Sequence, residues 1–336
     1  MSAPDHTHAF YALGPEQVLQ AVESLDYHCN GYQLALNSYE NRVYQVGLEE
    51  SSERYVVAKF YRPERWTDAA ILEEHDFTLR LAGLDIPVVP PLVIGGTTLH
   101  HFDSYRFALY PFRAGRAPNL ESPQQLEQLG RFIGRIHALG TEADFIHRPT
   151  LSVEQFGDDS YEYLLEHDFI PPQLERPYTE LAETLLDAVD TAFEETDPRL
   201  IRLQGDAHPG NILWQAGPQG DLGSPYILDF DDARMGPAVQ DLWMFLSGDT
   251  GEIRSQLEHL LGGYSGFFEF DRRELRLVEA LRTLRMMHYA AWLARRWQDP
   301  IFHTAFPWFN TESYWEEHVQ SLREQLPLVN ATPEWA

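Results

Sequence analysis

The sequence of 336 residues contains a single cysteine, Cys29. One cysteine cannot form a disulfide within the chain, which excludes the disulfide-stapled frameworks of small secreted domains. No catalytic motif surrounds Cys29, so its thiol is interpreted as structural. We therefore expect the protein to reside in a reducing cytoplasm.

Long apolar runs are also missing from the chain. No stretch of about eighteen or more apolar residues occurs, and the N-terminal residues MSAPDHTHAFYALG lack the basic segment and apolar core of a signal peptide. The sequence therefore predicts neither a secretory leader nor a membrane span, and no membrane partner.

Basic residues are scarce, because 25 Lys and Arg stand against 52 Asp and Glu and the formal net charge is −27. Nucleic-acid binding depends on basic side chains that neutralise phosphates, so this balance argues against a nucleic-acid partner. The charge would attract a cationic substrate, although net charge does not show where the field is concentrated. Solubility is the simpler interpretation.

What the chain does have is the composition of a folded protein, with 43% hydrophobic and 13% aromatic residues. Its length allows two domains. Residues 34–36, 42–46 and 55–61 are rich in β-branched and aromatic side chains and predict three strands of a meander. Residues 97–99 and 105–110 predict a further hairpin.

Beyond a connector at residues 112–116 the apolar periodicity becomes helical. Ser122 and Pro123 are typical of a helix start, and Pro237–Leu246 predicts the beginning of a mostly apolar helix. The pattern therefore predicts an α+β fold, in which a small, antiparallel β-rich region precedes a larger and mostly helical one.

The residues with recognisable chemistry lie between Arg199 and Leu246, where two apolar, β-rich runs each end at an aspartate. Asp206 follows the first run and Asp229 the second, and Asn211 lies in the tight loop GDAHPGN. Loops from two neighbouring strands would bring these side chains together. A proton-accepting acid, with an amide and a second carboxylate for a hard cation, is the set of groups that phosphoryl transfer needs. The stretch predicts a nucleotide-dependent kinase with a Mg²⁺ site.

Two features of the N-terminal region are consistent with a nucleotide site. Lys59 interrupts an otherwise apolar strand, where a lysine usually extends its ammonium to the sheet edge. A helix predicted over residues 68–82 carries Glu73 and Glu74, and a carboxylate from it could pair with Lys59 and hold the ammonium against nucleotide phosphates. The polar turn 37–41 could cradle phosphates with its backbone N–H groups, although it contains no glycine.

Longer motifs resemble known families. GDAHPGN followed by ILDFDDARMGP resembles the signature of aminoglycoside, choline and homoserine kinases, whose fold is protein-kinase-like. More closely, the chain resembles bacterial stress response kinase A, a family of cytoplasmic serine/threonine protein kinases, in LNSYENRVYQ, VAKFYRPERW, ILEEH, FIHRPT, DARMGPAVQDLWM and AWLARRWQDP. The resemblance implies a bilobal fold, with a nucleotide-covering N-terminal lobe (1–112) and a catalytic and substrate-binding C-terminal lobe (113–336).

The resemblance also implies roles for the acids of the central stretch. Asp206 would be the catalytic base, and Asn211 and Asp229 would hold Mg²⁺, with Asp229 also counted as catalytic. Asp241 would brace the catalytic loop from below. Many relatives have histidine where this chain has Gln204, a residue that can both donate and accept a hydrogen bond.

In the N-terminal lobe, three residues would contact or position ATP: Ser38 in the covering turn, Lys59 and Glu74. Glu74 would be the ion-pair partner of Lys59, with Glu73 as its rival. The hinge that binds adenine would fall at about residues 109–112.

These expectations combine into one leading hypothesis, a monomeric, ATP- and Mg²⁺-dependent stress-response kinase. It would phosphorylate Ser or Thr in protein substrates and be able to autophosphorylate. The alternative is a small-molecule kinase of the aminoglycoside, choline or homoserine type, because the same residues would serve either acceptor. A pseudokinase is disfavoured, since Lys59, Asp206, Asn211 and Asp229 are all present.

Overall fold

The computed structural model describes three stretches of the chain, residues 9–49, 53–217 and 221–335. Most of the N-terminal segment considered for a leader (1–8) and the middle of the turn after the second predicted strand (50–52) lie outside these described residues. Contacts between residues divide the chain into two compact units.

The strands, in chain order, are β1 (Cys29–Ala35), β2 (Arg42–Leu48), β3 (Tyr55–Phe60), β4 (His100–Phe102), β5 (Tyr105–Pro111), β6 (Leu200–Leu203), β7 (Ile212–Gln215), β8 (Ser224–Ile227) and β9 (Arg234–Pro237). The α-helices are α1 (Pro15–Glu23), α2 (Asp68–Gly83), α3 (Pro123–Gly140), α4 (Asp159–Glu166), α5 (Pro172–Thr196), α6 (Thr250–Tyr264), α7 (Leu277–Arg295), α8 (Pro300–Ala305) and α9 (Glu312–Val329). The predicted α+β class is confirmed.

The first unit contains the chain up to Asn119 together with Phe145–Arg148 and His208–Ala233. The second contains Leu120–Asp144, Pro149–Ala207 and the chain from Arg234 onward. The predicted lobes are continuous stretches of sequence, whereas each unit gathers three separate stretches. The lobe boundary at residue 112 therefore stays a prediction.

The first unit is built on a five-stranded antiparallel sheet in the order β1-β2-β3-β5-β4. Alternate apolar residues of β2, β3 and β5 meet α1 in a core that includes Val18, Val46, Val56, Phe60 and Phe107. The helix α2 begins where Thr67 accepts a hydrogen bond from the Ala70 N–H at 3.1 Å. A second, two-stranded sheet of this unit pairs β7 with β8.

The predicted hairpin is confirmed by the antiparallel pairing of β4 with β5, but the bounds of its first strand are wrong, because β4 begins at His100 and not within Thr97–Leu99. Gly95 and Gly96 have φ values of 62° and 84°, a region that glycine enters without strain. They form a tight turn in which Ile94 and Thr97 exchange backbone hydrogen bonds. Thr97 is thereby used in the turn.

The only cysteine lies on β1, where its side chain is half-buried and its Sγ donates to the Leu19 carbonyl at 3.9 Å. Burial raises the pKa of the Cys29 thiol to about 11, and the nearby carboxylates of Glu23 and Glu49 add to that shift.

The second unit is mostly helical and contains α3 to α9, with β6 and β9 paired as a short antiparallel ladder. The predicted helix Pro237–Leu246 is wrong. Its residues instead form two 3₁₀ turns, Ala238–Asp241 and Trp243–Phe245. Side chains rather than a helical ladder satisfy the backbone there, because the Val239 N–H donates to the Glu274 carboxylate at 2.9 Å.

Across the described residues, no helix combines the length and apolar character needed to cross a membrane.

Candidate active-site residues

In the second unit, the buried carboxylate of Asp241 fixes the loop that follows β6. The backbone N–H groups of Gln204 and Gly205 donate to the two oxygens of Asp241 at 2.8 Å each. Nε2 of His137 lies 3.2 Å from the same carboxylate, and its Nδ1 lies 2.7 Å from the Tyr264 hydroxyl. Asp241 is 1% exposed. The predicted bracing of this loop by Asp241 is confirmed.

Gln204 adds a second constraint on the loop. Its side-chain oxygen accepts a hydrogen bond from the Asp206 N–H at 2.8 Å, while Gln240 donates to the Gly205 carbonyl at 2.9 Å. Gly205 has a φ of 88°, a conformation that favours glycine. Gln204 therefore serves as a hydrogen-bond acceptor in this loop.

The carboxylate of Asp206 forms an ion pair that the sequence did not reveal. Its Oδ1 lies 2.6 Å from Nη1 of Arg285, a residue of α7. Both side chains are partly open to solvent, at 26% and 45% exposure. Arg285 lies 79 residues away in the chain, and no local pattern indicates it.

The first unit contains a cavity of about 530 Å³ that collects most of the predicted nucleotide-site residues. Its polar lining includes Ser38, Lys59, Glu74, Asn211 and Asp229. Its apolar lining consists mainly of branched side chains, namely Leu36, Val43, Val57, Val89, Leu213 and Leu228. Asp206 belongs to the second unit, so its predicted convergence with Asn211 stays a prediction.

Lys59 reaches this cavity from β3, where it is 7% exposed. Its Nζ lies 2.8 Å from Oδ1 of Asp229 and 3.5 Å from Oδ1 of Asp231. Burial disfavours the charged ammonium, but these two carboxylates outweigh burial and raise the pKa of Lys59 above its ordinary value. The lysine is therefore held as a buried cation and does not extend to the sheet edge.

The two glutamates of α2 have separate roles. Glu73 accepts hydrogen bonds from three successive backbone N–H groups, those of Ile146, His147 and Arg148, at 2.6, 2.8 and 2.9 Å. Glu74 is 3% exposed and lines the cavity. Burial raises the pKa of Glu74 to about 7, against the opposing effects of Lys59 and Arg148.

The direct ion pair expected between Lys59 and Glu74 is not formed. Among the described residues, the ammonium pairs with Asp229 and Asp231. Burial raises the pKa of Glu74, which disfavours its ionised form, whereas Lys59 and Arg65 outweigh the burial of Asp231 and lower the pKa of that carboxyl. Glu73 is not the partner either, because its carboxylate is engaged with the backbone of residues 146–148.

The predicted metal donors are brought together by the pairing of β7 with β8. Ile212 lies opposite Ile227, and the Leu228 N–H donates to the Asn211 carbonyl at 2.9 Å. Asn211 thus accepts this hydrogen bond, Asp229 follows its donor in the chain, and both residues line the cavity. Their amide and carboxylate oxygens are donors that suit a hard cation such as Mg²⁺. Asp229 has a φ of 53°, a left-handed conformation that aspartate tolerates better than most residues.

The predicted hinge also borders the cavity. Tyr110, Pro111 and Phe112 line it, and Leu109 is fully buried behind it. Ser38 and Asn37 of the covering turn line it as well. Binding of adenine and phosphates by these segments stays a prediction.

Asp231 makes several contacts within the first unit, although sequence reasoning gave it no role beyond following Asp229. It is 3% exposed, and it accepts hydrogen bonds from Asn41 at 3.0 Å and from Arg65. The Arg148 guanidinium donates to the Asp231 carbonyl. Burial opposes ionisation, but Lys59 and Arg65 outweigh it and lower the pKa of Asp231 to about 2.

Comparison with known proteins identifies the family of this chain. A model of the phosphotransferase enzyme family matches residues 32–278. Stress response kinase A of Escherichia coli strain K12 is 40% identical to this chain over 324 residues, which make up 96% of each protein. The chain belongs to the stress response kinase A family.

The chain is also similar to a protein of Salmonella typhimurium strain LT2 that is named serine/threonine protein kinase RdoA. It is 39% identical over 329 residues, 98% of this chain and 97% of the relative. Membership of the stress response kinase A family and of the phosphotransferase enzyme family makes the chain a kinase.

Solved structures show the fold of this stress response kinase A family member. An amicoumacin kinase in complex with AMP-PNP, Ca²⁺ and Ami has a TM-score of 0.69 at 18% identity, covering 93% of this chain and 92% of that one. A microcompartment-associated aminopropanol kinase has a TM-score of 0.68 at 16% identity, covering 92% and 95%. The predicted protein-kinase-like fold class is confirmed.

Proposed function

We propose that this protein is an ATP- and Mg²⁺-dependent serine/threonine protein kinase of the stress response, able to autophosphorylate. The observation that carries the proposal is that one cavity is lined by Ser38, Lys59, Asn211 and Asp229, in a chain 39% identical to a protein named as a serine/threonine kinase. The reducing cytoplasm, inferred from the single cysteine, and a monomeric state are parts of this proposal.

Within it, Lys59 binds the nucleotide phosphates, while Ser38 covers them and the buried Glu74 shapes the wall beside Lys59. Asn211 and Asp229 hold Mg²⁺. The bound cation would supply positive charge that neutralises the phosphates during transfer. The apolar walls formed by residues such as Val57 and Leu228 leave room for a flat base.

The transfer itself requires one base. Asp206 accepts the proton of the acceptor hydroxyl as the hydroxyl oxygen bonds to the γ-phosphorus, and the bond between that phosphorus and the β–γ bridging oxygen breaks. ADP leaves with the bridging oxygen. Asp241 and Gln204 keep the backbone beside Asp206 fixed, which limits the reorganisation required during the reaction.

Replacing Asp206 tests this assignment. Asp206→Ala should lower turnover by about 10²–10⁴, the usual scale of general-base loss, while ATP still binds. Turnover would be followed as radiolabelled phosphate transferred to protein, and ATP binding by calorimetry. Asp159→Ala, an exposed aspartate on α4, is the control and should retain full activity. An Asp206→Ala variant with near-normal turnover would refute the base.

A small-molecule kinase is the second candidate function. It is favoured by the fold neighbours, whose names specify small-molecule acceptors, and by the net charge of −27, which suits a cationic acceptor. One radiolabelled-ATP assay should compare a basic protein, proteins of a cell lysate, aminoglycosides and amino-alcohols. Transfer confined to the small molecules would replace the first proposal with the second.

A further inference from the structure

Two carboxylates hold Lys59, and the difference in their exposure supports an inference that rests on the proposed function. Of the two, Asp229 is the closer, but its side chain is 47% exposed and lines the cavity. The side chain of Asp231 is 5% exposed and lies 3.5 Å from the ammonium. If Asp229 binds the cation, Asp231 is the acid left to balance the charge of Lys59.

The second oxygen of Asp231 ties down the covering turn. Asn41, at the end of turn 37–41, donates to Oδ2 of Asp231 at 3.0 Å and is itself 2% exposed. The Asn41 side-chain oxygen accepts from the Arg62 N–H at 3.0 Å. Arg65 donates to the same Oδ2 and also lies 3.7 Å from Glu40 in the turn.

These anchors compensate for the lack of glycine in the turn. The Arg62 guanidinium donates to the carbonyls of Tyr39 at 3.2 Å and Glu40 at 2.8 Å, so the turn is fixed by side chains at its outer edge. A turn held in this way loses little further entropy when a ligand binds to it. Ser38, which lines the cavity, directly precedes these anchored residues in the sequence.

We propose that Asp231 is a positioning residue for nucleotide binding, holding Lys59 through Oδ1 and the covering turn through Asn41 and Arg65 at Oδ2. Asp231 does not touch the nucleotide. It acts through Lys59 and Ser38, and it takes the place of the α2 glutamate as the resident counter-ion of the lysine.

The first measurement is the Kd of ATP by calorimetry, with Mg²⁺ and again with EDTA. Asp231→Asn should weaken ATP binding about tenfold or more under both conditions. The reason is that Lys59 and the covering turn, which Asp231 positions, contact the phosphates rather than the metal. Asp229→Asn should weaken ATP binding more with Mg²⁺ than with EDTA, because only with Mg²⁺ does the variant also lose a ligand of the cation. Equal ATP affinity of Asp231→Asn and wild type with Mg²⁺ would overturn the inference.

A double-mutant cycle identifies the partner of the lysine. Lys59→Met and Asp231→Asn should be non-additive, so that Asp231→Asn weakens ATP binding less in the Lys59→Met background than in the wild type, where it also displaces Lys59. The cycle of Lys59→Met with Glu74→Gln should be close to additive. The reverse pattern, with coupling to Glu74 and additivity at Asp231, would make Glu74 of α2 the counter-ion of Lys59.

Asp231→Asn could fail to fold, so Asn41→Ala provides a second test at unchanged charge. It should weaken ATP binding about threefold or more in EDTA, the scale of one lost contact in a coupled pair. The control is Asn30→Ala, an exposed asparagine of β1 that donates to the Leu48 carbonyl, accepts from the Tyr32 N–H and is not part of the cavity lining. Identical ATP affinity of the two variants would refute the anchoring of the turn. Absence of ATP binding by wild type would instead refute the proposed function itself.

Discussion

Asp231 of the first unit and Asp241 of the second are buried aspartates with opposite surroundings. Both are nearly excluded from solvent, at 3% and 1% exposure. Asp231 is surrounded by cations, with Lys59 and Arg65 on its carboxylate. Asp241 instead accepts from two backbone N–H groups, with His137 beside it. Each carboxylate is satisfied, but only the first is balanced by fixed charge.

The difference separates two uses of a buried acid. A carboxylate bound by backbone N–H groups fixes the path of the chain, because the donors cannot move without moving the loop. A carboxylate bound by mobile cationic side chains sets where those cations stand. We infer that Asp241 organises the backbone beside Asp206, whereas Asp231 organises the charges around the cavity.

The largest expected effect on stability comes from removing these two charges. Asp231→Asn should lower the free energy of unfolding by up to about 3–5 kcal/mol, because it removes the anion that two buried cations share, while Lys59 keeps Asp229 and Arg65 keeps Asp232. Asp241→Asn should cost about 1–3 kcal/mol, since the amide retains one acceptor but sets its NH₂ against a donor.

Urea unfolding monitored by circular dichroism would give both values. The control is Asp271→Asn, which removes a partly exposed acid paired with Arg273 and should change stability by less than about 1 kcal/mol. Equal losses at positions 231 and 241 would contradict the distinction between charge balance and backbone bonding.

A smaller effect concerns pH, and it occurs in both units. Burial raises the pKa of Glu74 and of Glu274 to about 7 from 4.5. Each folded-state carboxyl keeps a proton that the unfolded chain releases, so its stabilisation is complete below pH 4.5 and disappears as the pH rises through 7. Relative to Glu74→Gln, the wild type should lose about 1–3 kcal/mol over that range.

Thermal and urea unfolding at pH 5, 6, 7 and 8 would follow this difference. Glu274→Gln should give the same sign in the second unit, and the exposed Glu316→Gln serves as the control. A difference between wild type and Glu74→Gln that does not change with pH would contradict a raised pKa for Glu74.

The smallest effect is expected at Arg285. Its ion pair with Asp206 is partly solvent-exposed, so Arg285→Gln should lower the free energy of unfolding by less than about 1 kcal/mol. The difference should vanish in about 1 M salt, where screening acts over about 3 Å. A larger, salt-resistant loss in urea unfolding would place this pair with the buried charges of Asp231.

Local signals made much of this fold predictable. The helix predicted over residues 68–82 is found as α2, which Thr67 caps, and the apolar run at residues 200–203 forms β6 directly before the loop that carries Asp206. These signals succeed because capping and strand periodicity depend on residues close in the chain. The gathering of Lys59, Asn211 and Asp229 at one cavity was also foreseen, although for those residues the family resemblance supplied the link.

Contacts between distant stretches were the part that could not be predicted. Asn41 and Asp231 are 190 residues apart, and neither has a local pattern that indicates the other. The segment Pro237–Leu246 has the composition of a helix, but contacts with Glu274 and the catalytic loop favour 3₁₀ turns. Tertiary hydrogen bonds outweigh intrinsic helix preference, which is worth less than about 1 kcal/mol per residue.

The position of Cys29 also bears on oxidative chemistry. Peroxides attack the thiolate, and a thiol whose pKa is about 11 is ionised in only about one molecule in several thousand near pH 7.5. The sole sulfhydryl of the chain is therefore a slow target for peroxide and for alkylating reagents. A thiol-based redox sensor is not expected within this protein, and its activity should survive treatment with iodoacetamide.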